Sequence, residues 1–126
     1  MTQEIDGEPV AFVYVADRGR AVAYYRDVLG CELRGSDDFG DFFRLGSALL
    51  RMTALPGWSP TPHPVLGWNV PDIAGVVQTL RARGVRFSIY EGMGQDELGI
   101  WTSPDGAAKV AWFTDCEGNV LSLSQS

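Results

Sequence analysis

One pattern occurs twice and constrains the fold more than anything else in the chain: a β-branched and aromatic run, an aspartate, an amphipathic stretch and a glycine. In the first copy Val10–Ala16 is strand-like, and Asp17 carries a side-chain oxygen suited to capping free backbone N–H groups. Ala21, Val22, Tyr25, Val28 and Leu29 then recur at helical spacing until Gly30 supplies a left-handed stop. In the second copy Val65–Pro71 is the strand and Asp72 the cap; Ile73, Val76, Val77 and Leu80 share a helical face, and Gly84 follows. The pattern predicts helices over about 18–29 and 73–83.

The segments between these copies read as strands. Cys31–Gly35, Asp41–Leu45 and Ala48–Thr53 are short apolar stretches separated by turn formers, as in an antiparallel meander. Val85–Tyr90 reads as a strand, residues 91 to about 106 as a long glycine-rich loop holding Trp101, and Val110–Ser124 as two strands joined by a tight turn. Pro56, Pro60, Pro62 and Pro64 break the chain between the copies. The fold class is therefore α+β within a single domain of 126 residues: a βαβββ module over about 8–55, a linker over 56–64, and a second βαβββ module over 65–125. One helix covers only one face of a small sheet, so two such modules, helices outside, form a curved mixed sheet with a concave cleft that a ligand would fill.

Composition narrows the function classes. No apolar run approaches the roughly 20 residues of a membrane span, and the Met1–Pro9 lead-in is acidic and polar, unlike an export signal, so a cytoplasmic protein without a membrane partner is expected. The net charge is −6, and apart from Arg81, Arg83 and Arg86 the basic residues are scattered, which argues against nucleic acid. Cys31 and Cys116 lie far apart without a CxxC motif and read as reduced thiols. With His63 the only histidine and no nucleophile elbow or phosphate loop, no catalytic residue can be assigned.

Three stretches carry a family resemblance: Val13–Asp17 running into Ala21–Gly30; Asn69–Asp72; and Trp112–Leu123. Together they resemble the vicinal oxygen chelate superfamily, the fold of glyoxalases, bleomycin-resistance proteins and extradiol dioxygenases, over nearly the whole chain. The family's closing turn is usually aromatic-x-Asp-Pro-Asp-Gly-Asn; here Cys116 and Glu117 stand in place of Pro-Asp. The resemblance implies a divalent metal held by His, Gln and Glu side chains at paired positions of the two modules. Carried onto this chain, those positions fall on Val10, Val65, the neighbourhood of Leu50, and Ser122. Three of these have no donor atom, and a serine hydroxyl is a weak neutral ligand, so neither a metal site nor any other cofactor is expected.

Strand alternation places Val10, Phe12 and Tyr14 toward the cleft and Ala11, Val13 and Val15 toward the helix. It likewise places Val65, Gly67 and Asn69, with Val120, Ser122 and Ser124, on the cleft side and Trp68 beneath the helix. Phe87 and Phe113 read as core. One of Phe42 and Phe43 faces the cleft, and alternation does not choose between them. The resemblance turns Trp112 toward the cavity, with Trp101 and Tyr90 bordering the adjacent loop. The ligand-binding candidates are Phe12, Tyr14, Asn69, Tyr90, Trp101, Trp112 and Ser122.

Such a face suits a small aromatic or drug-like molecule, and an acidic chain suits flat polycyclic compounds, cationic ones included. The resemblance includes metal-free members that sequester drugs by binding alone, and it implies a homodimer. The competing readings are a glyoxalase-like lyase, isomerase or dioxygenase with a relocated metal site drawn from His63, Glu91, Asp96 and Glu97, and a surface for a partner protein.

Overall fold

The computed structural model describes residues 4–126, so the acidic lead-in read over Met1–Pro9 falls partly outside the described residues. The chain divides into two compact units, Met1–Trp58 and Ser59–Ser126, with the boundary inside the proline-rich stretch. Each unit holds one four-stranded mixed sheet, as tandem βαβββ modules require. No helix among the described residues is long and apolar enough to cross a membrane.

The first unit runs β1 (Val10–Val15), α1 (Arg18–Ala23), a π-helical turn (Tyr24–Val28), β2 (Glu32–Ser36), β3 (Asp41–Leu45) and β4 (Ala48–Ala54). The strand order is β1-β4-β3-β2, with β1 parallel to β4 and the other pairs antiparallel. Asp17 caps α1 as read, its carboxylate accepting from the Arg20 N–H. The helix predicted to run to Leu29 leaves α geometry after Ala23. The Leu29 N–H bonds to the Tyr24 carbonyl five residues back, at 3.1 Å, and the Cys31 N–H to that of Tyr25 at 2.8 Å. The widened turn goes with a fully buried Tyr25, whose ring centroid lies 6.0 Å from that of Phe43. Gly30 at φ 77° ends the element in the left-handed conformation the sequence called for.

Alternation in β1 is sharp: Val13 and Val15 are buried, whereas Phe12 is 56% and Tyr14 40% exposed. Phe43, Leu50 and Met52 complete the buried side. Each large apolar side chain buried there contributes about 1.5–3 kcal/mol, so the helix-side face holds the unit together. Phe43 is thus core, and Phe42, next along β3, lies on the opposite face.

A buried carboxylate fixes the β2–β3 hairpin. Asp41 accepts from Arg18 Nε at 2.8 Å and from the Ser36 hydroxyl at 2.6 Å, while Arg18 also donates to the Asp37 and Asp38 carbonyls. Burial pushes the Asp41 carboxyl up, but the Arg18 guanidinium and Ser36 outweigh it and hold it below the ordinary aspartate value. A carboxyl whose folded pKa is depressed stabilises the fold above its unfolded value, near 3.9. That stabilisation is lost as pH falls through the folded value. Below about pH 4, urea unfolding is therefore expected to lose stability more steeply in the wild type than in Asp41→Asn; parallel curves would show that Asp41 is not coupled to folding.

The second unit runs β5 (Pro64–Asn69), α2 (Ile73–Ala82), β6 (Trp101–Thr102), β7 (Lys109–Thr114) and β8 (Val120–Gln125), in the order β5-β8-β7-β6. Asp72 caps α2 by accepting from the Gly75 N–H, and the helix ends at Arg83 before Gly84 at φ 93°. Ile73, Val77 and Leu80 of α2 are buried, as are Ala111, Phe113, Leu121 and Leu123 of the sheet.

Two predicted elements differ. Val85–Tyr90 is not a ladder strand: it touches β7 through a single bridge, Phe87 to Phe113, and one hydrogen bond from the Ser88 N–H to the Trp112 carbonyl at 2.7 Å. The rest of that edge of β7 is taken by β6, which arises inside the stretch read as a loop and pairs Trp101 with Val110. The edge is shared because the chain leaves it after Ser88 and returns at Trp101. The proline-rich stretch also ends one residue earlier than read, since Pro64 already belongs to β5; an edge strand tolerates the missing N–H.

Candidate functional site

Cross-strand partners project to the same side of a sheet, so the register of the second unit lays out its helix-free face. One row is Trp101, Val110, Ser124 and Asn69; the next is Trp112, Ser122 and Gly67. The Ser124 hydroxyl donates to Asn69 Oδ1 in a long contact of 3.4 Å. Gly67 leaves room for its neighbour: a Cβ there would stand 2.4 Å from the Ser122 Oγ and 3.2 Å from the Ser122 carbonyl, so a side chain at this position would turn the hydroxyl away. The hydroxyl of Ser122 therefore lies over bare backbone, beside the Trp112 indole in the same row.

Tyr90 completes the aromatic surface. Its ring meets that of Trp112 edge to face, 5.6 Å between centroids at 82°, and it remains 42% exposed. The segment beyond it is held by hydrogen bonds. Gln95 accepts from the Tyr90 N–H at 2.7 Å and donates to the Ser88 and Gly99 carbonyls, while Asp96 accepts from the Leu98 and Ile100 N–H groups. One face of the second sheet thus brings together Asn69, Tyr90, Trp101, Trp112 and Ser122.

Phe12 and Tyr14 lie on the helix-free face of the first sheet. There the register aligns Phe12, Arg51, Phe42 and Gly35 in one row, with Tyr14 and Thr53 in the next. The Arg51 guanidinium sits 5.3 Å from the centroid of the Phe42 ring. Sequence reasoning missed Arg51 and Gln95. The signal for Arg51 is that it is the only charged residue of β4; Gln95 has no local signal, because its partners Ser88 and Gly99 become neighbours only once the chain has folded back.

The residues at the family's metal positions do not fit a divalent ion. Val10 and Val65 are exposed alkyl side chains, and Ser122 offers one neutral hydroxyl. The fourth position is corrected: Leu50 is fully buried and pairs with Ala11 and Phe43 on the helix side, because β4 turns Leu49 and Arg51 to the other face. Neither of those supplies a metal donor. Among the described residues no three His, Cys, Asp or Glu side chains are grouped so as to hold a metal ion. His63, Glu91, Asp96 and Glu97 are exposed, and Asp96 is engaged with its own loop.

Both cysteines are free thiols. Burial pushes the Cys31 thiol up to about 11, which keeps it protonated at neutral pH.

The fold is shared with several solved structures. The chain is similar to a protein assigned to the glyoxalase family from Bacillus anthracis, with a TM-score of 0.76 and 16% identity over 100% of this chain and 99% of that one. It is similar to lactoylglutathione lyase from Agrobacterium tumefaciens, with a TM-score of 0.74 and 16% identity over 98% of this chain and 96% of that one. It is also similar to the fosfomycin resistance protein FosX from Listeria monocytogenes, with a TM-score of 0.74 and 13% identity over 98% and 95%. At these identities the likeness speaks for the fold alone. No curated protein sequence matches. The sequence profile of the Glyoxalase/Bleomycin resistance protein/Dioxygenase superfamily matches residues 9–123, and the chain belongs to that superfamily.

Proposed function

We propose that this protein is a metal-independent small-molecule binding member of its superfamily, holding an aromatic or drug-like ligand and acting by binding rather than by turnover. The observation that carries the reading is the helix-free face of the second sheet. Trp101, Trp112 and Tyr90 present ring surface there, while Ser122, Ser124 and Asn69 offer a few hydrogen-bonding groups beside it. Flat apolar area with sparse polar groups suits stacking plus orientation, which is how aromatic ligands are selected. The helix-free face of the first sheet, taken by itself, also exposes two rings, Phe12 and Tyr14. The donor-poor residues at the metal positions support binding without a metal.

The test is a panel of flat polycyclic compounds, neutral, cationic and anionic, followed by quenching of tryptophan fluorescence and by equilibrium dialysis. Saturable binding is expected from at least one charge class. Absence of binding across the panel overturns the reading. Stoichiometric tight metal found by elemental analysis of the purified protein also overturns it, and favours an enzyme with a relocated site. In that case His63→Ala or Glu91→Ala must abolish the turnover.

A further inference from the structure

Net charge and local charge point in opposite directions here. The chain carries 16 acidic and 10 basic residues, so an aromatic cation is the ligand that overall charge would favour. The one charged side chain in the row Phe12, Arg51, Phe42 and Gly35 is nevertheless a cation. Four other arginines are engaged with carboxylates: Arg18 with Asp41, Arg26 with Asp27, Arg34 with Glu32 and Arg44 with Glu8. Among the described residues no ion pair engages Arg51, in a protein with acids in excess.

Arg51 is placed by an aromatic neighbour. Its guanidinium stands 5.3 Å from the Phe42 centroid, and the side chain is half-buried. Gly40 is set by the backbone rather than by Arg51: a Cβ there would lie 2.7 Å from the Met52 carbonyl but at an ordinary 3.5 Å from the Arg51 Nε. Phe12, 56% exposed, follows on one side in the row and Tyr14, 40% exposed, stands in the next. A guanidinium resting on a ring keeps its planar fork of donors for a second partner, and that fork matches a carboxylate bidentately. It is also more weakly hydrated than an ammonium, so pairing beside aromatic surface costs it less.

We infer that Arg51 anchors the acid group of an aromatic carboxylate whose ring lies against Phe12 and Tyr14. This rests on the reading that the chain binds small molecules, and it places an acid-binding site on the first sheet, argued separately from the aromatic face of the second; its ligand class is a flat aromatic anion, selected against the corresponding neutral and cationic compounds.

The experiment uses the full chain and a matched set of probes: 2-naphthoate, 2-naphthamide and 2-naphthylmethylammonium, with affinities from equilibrium dialysis at low and high salt. The naphthoate is expected to bind at least tenfold more tightly than the amide. The preference is expected to shrink at high salt and to vanish in Arg51→Met, which keeps the apolar stem. Arg51→Lys is expected to retain only part of it, because an ammonium lacks the fork. Equal binding of naphthoate and amide, or preference for the ammonium, overturns the anion assignment and leaves the binding reading standing. A naphthoate preference that survives in a folded Arg51→Met, verified by circular dichroism, overturns the role of Arg51. Binding of none of the three overturns this inference, and the broader reading then stands or falls on the wider panel. The wild-type comparison needs no variant, so a misfolded substitution does not leave the question open.

Discussion

Trp112→Ala is expected to weaken binding of an aromatic ligand by about tenfold or more, with Trp112→Phe recovering most of the loss. The size follows from stacking, worth about 1–3 kcal/mol per ring by alanine substitution, with about 1.4 kcal/mol per tenfold. Trp112 sits in the row with Ser122 and over-bare Gly67, and its ring is the edge-to-face partner of Tyr90. Its removal therefore deletes one ring and frees a second. The competing role for Trp112 is packing alone, and the two roles separate in the measurements. If it only supports Tyr90, Trp112→Ala lowers the midpoint of urea unfolding while the folded protein binds as before by calorimetry. If it contacts ligand, affinity falls by more than the fraction unfolded explains. Calorimetry is the proper readout, because the substitution removes a fluorophore along with the contact.

Much of the fold could be read from residues whose local chemistry admits one answer. Asp17 and Asp72 cap, Gly30 and Gly84 stop, and β1 alternates so cleanly that Phe12 and Tyr14 separate from Val13 and Val15 without tertiary information. What stayed illegible is what depends on distant partners. In Phe42–Phe43 both residues are aromatic, so alternation carries no phase; the choice is made by Phe43 packing on Tyr25 and Phe42 receiving Arg51. The same ambiguity moved the metal position onto Leu50. Leu49 and Leu50 are identical in kind, and only Arg51 marks which side of β4 faces away from the helix. The shared edge of β7 is harder still, since a two-residue strand at Trp101–Thr102 and a lone bridge at Phe87 leave too short a period to see.

The candidate site divides along the same line. The paired rows of the second sheet follow from counting along β5 and β8, so Asn69 and Ser122 could be placed on one face from sequence. The edge-to-face contact of Tyr90 could not, because it depends on Gln95 drawing the chain back toward Ser88 and Gly99. At the positions where the family resemblance implies metal ligands, the sequence shows residues that are poor donors. The arginine on the aromatic face of the first sheet required the register of three strands to become visible.

The closing hairpin keeps its form although Cys116 and Glu117 replace the family's usual Pro-Asp, and Asp115 is the reason. Its buried carboxylate accepts from the Glu117 N–H at 2.8 Å, the Asn119 N–H at 2.9 Å and the Asn119 Nδ2 at 3.1 Å, while the Asp115 N–H donates to the Asn119 carbonyl. This aspartate is the one the usual turn also carries, and its hydrogen bonds hold the turn here without the added restriction of a proline φ. Asp115→Ala removes one acceptor shared by three buried donors, and a buried group that loses its partner costs about 1–3 kcal/mol. Because the donors share one site and partial relaxation follows, a total loss of about 3 kcal/mol is expected rather than the sum. For a small domain that is about 1–3 M in the urea midpoint at unchanged slope. Asp115→Asn retains one acceptor oxygen for the two backbone N–H groups but turns an amide toward the Asn119 Nδ2, so it is expected to recover part of the loss. A fall of less than about 1 kcal/mol in Asp115→Ala would mean that the turn is fixed by β7 and β8 pairing alone. The register that sets Trp112 opposite Ser122 would then owe nothing to Asp115.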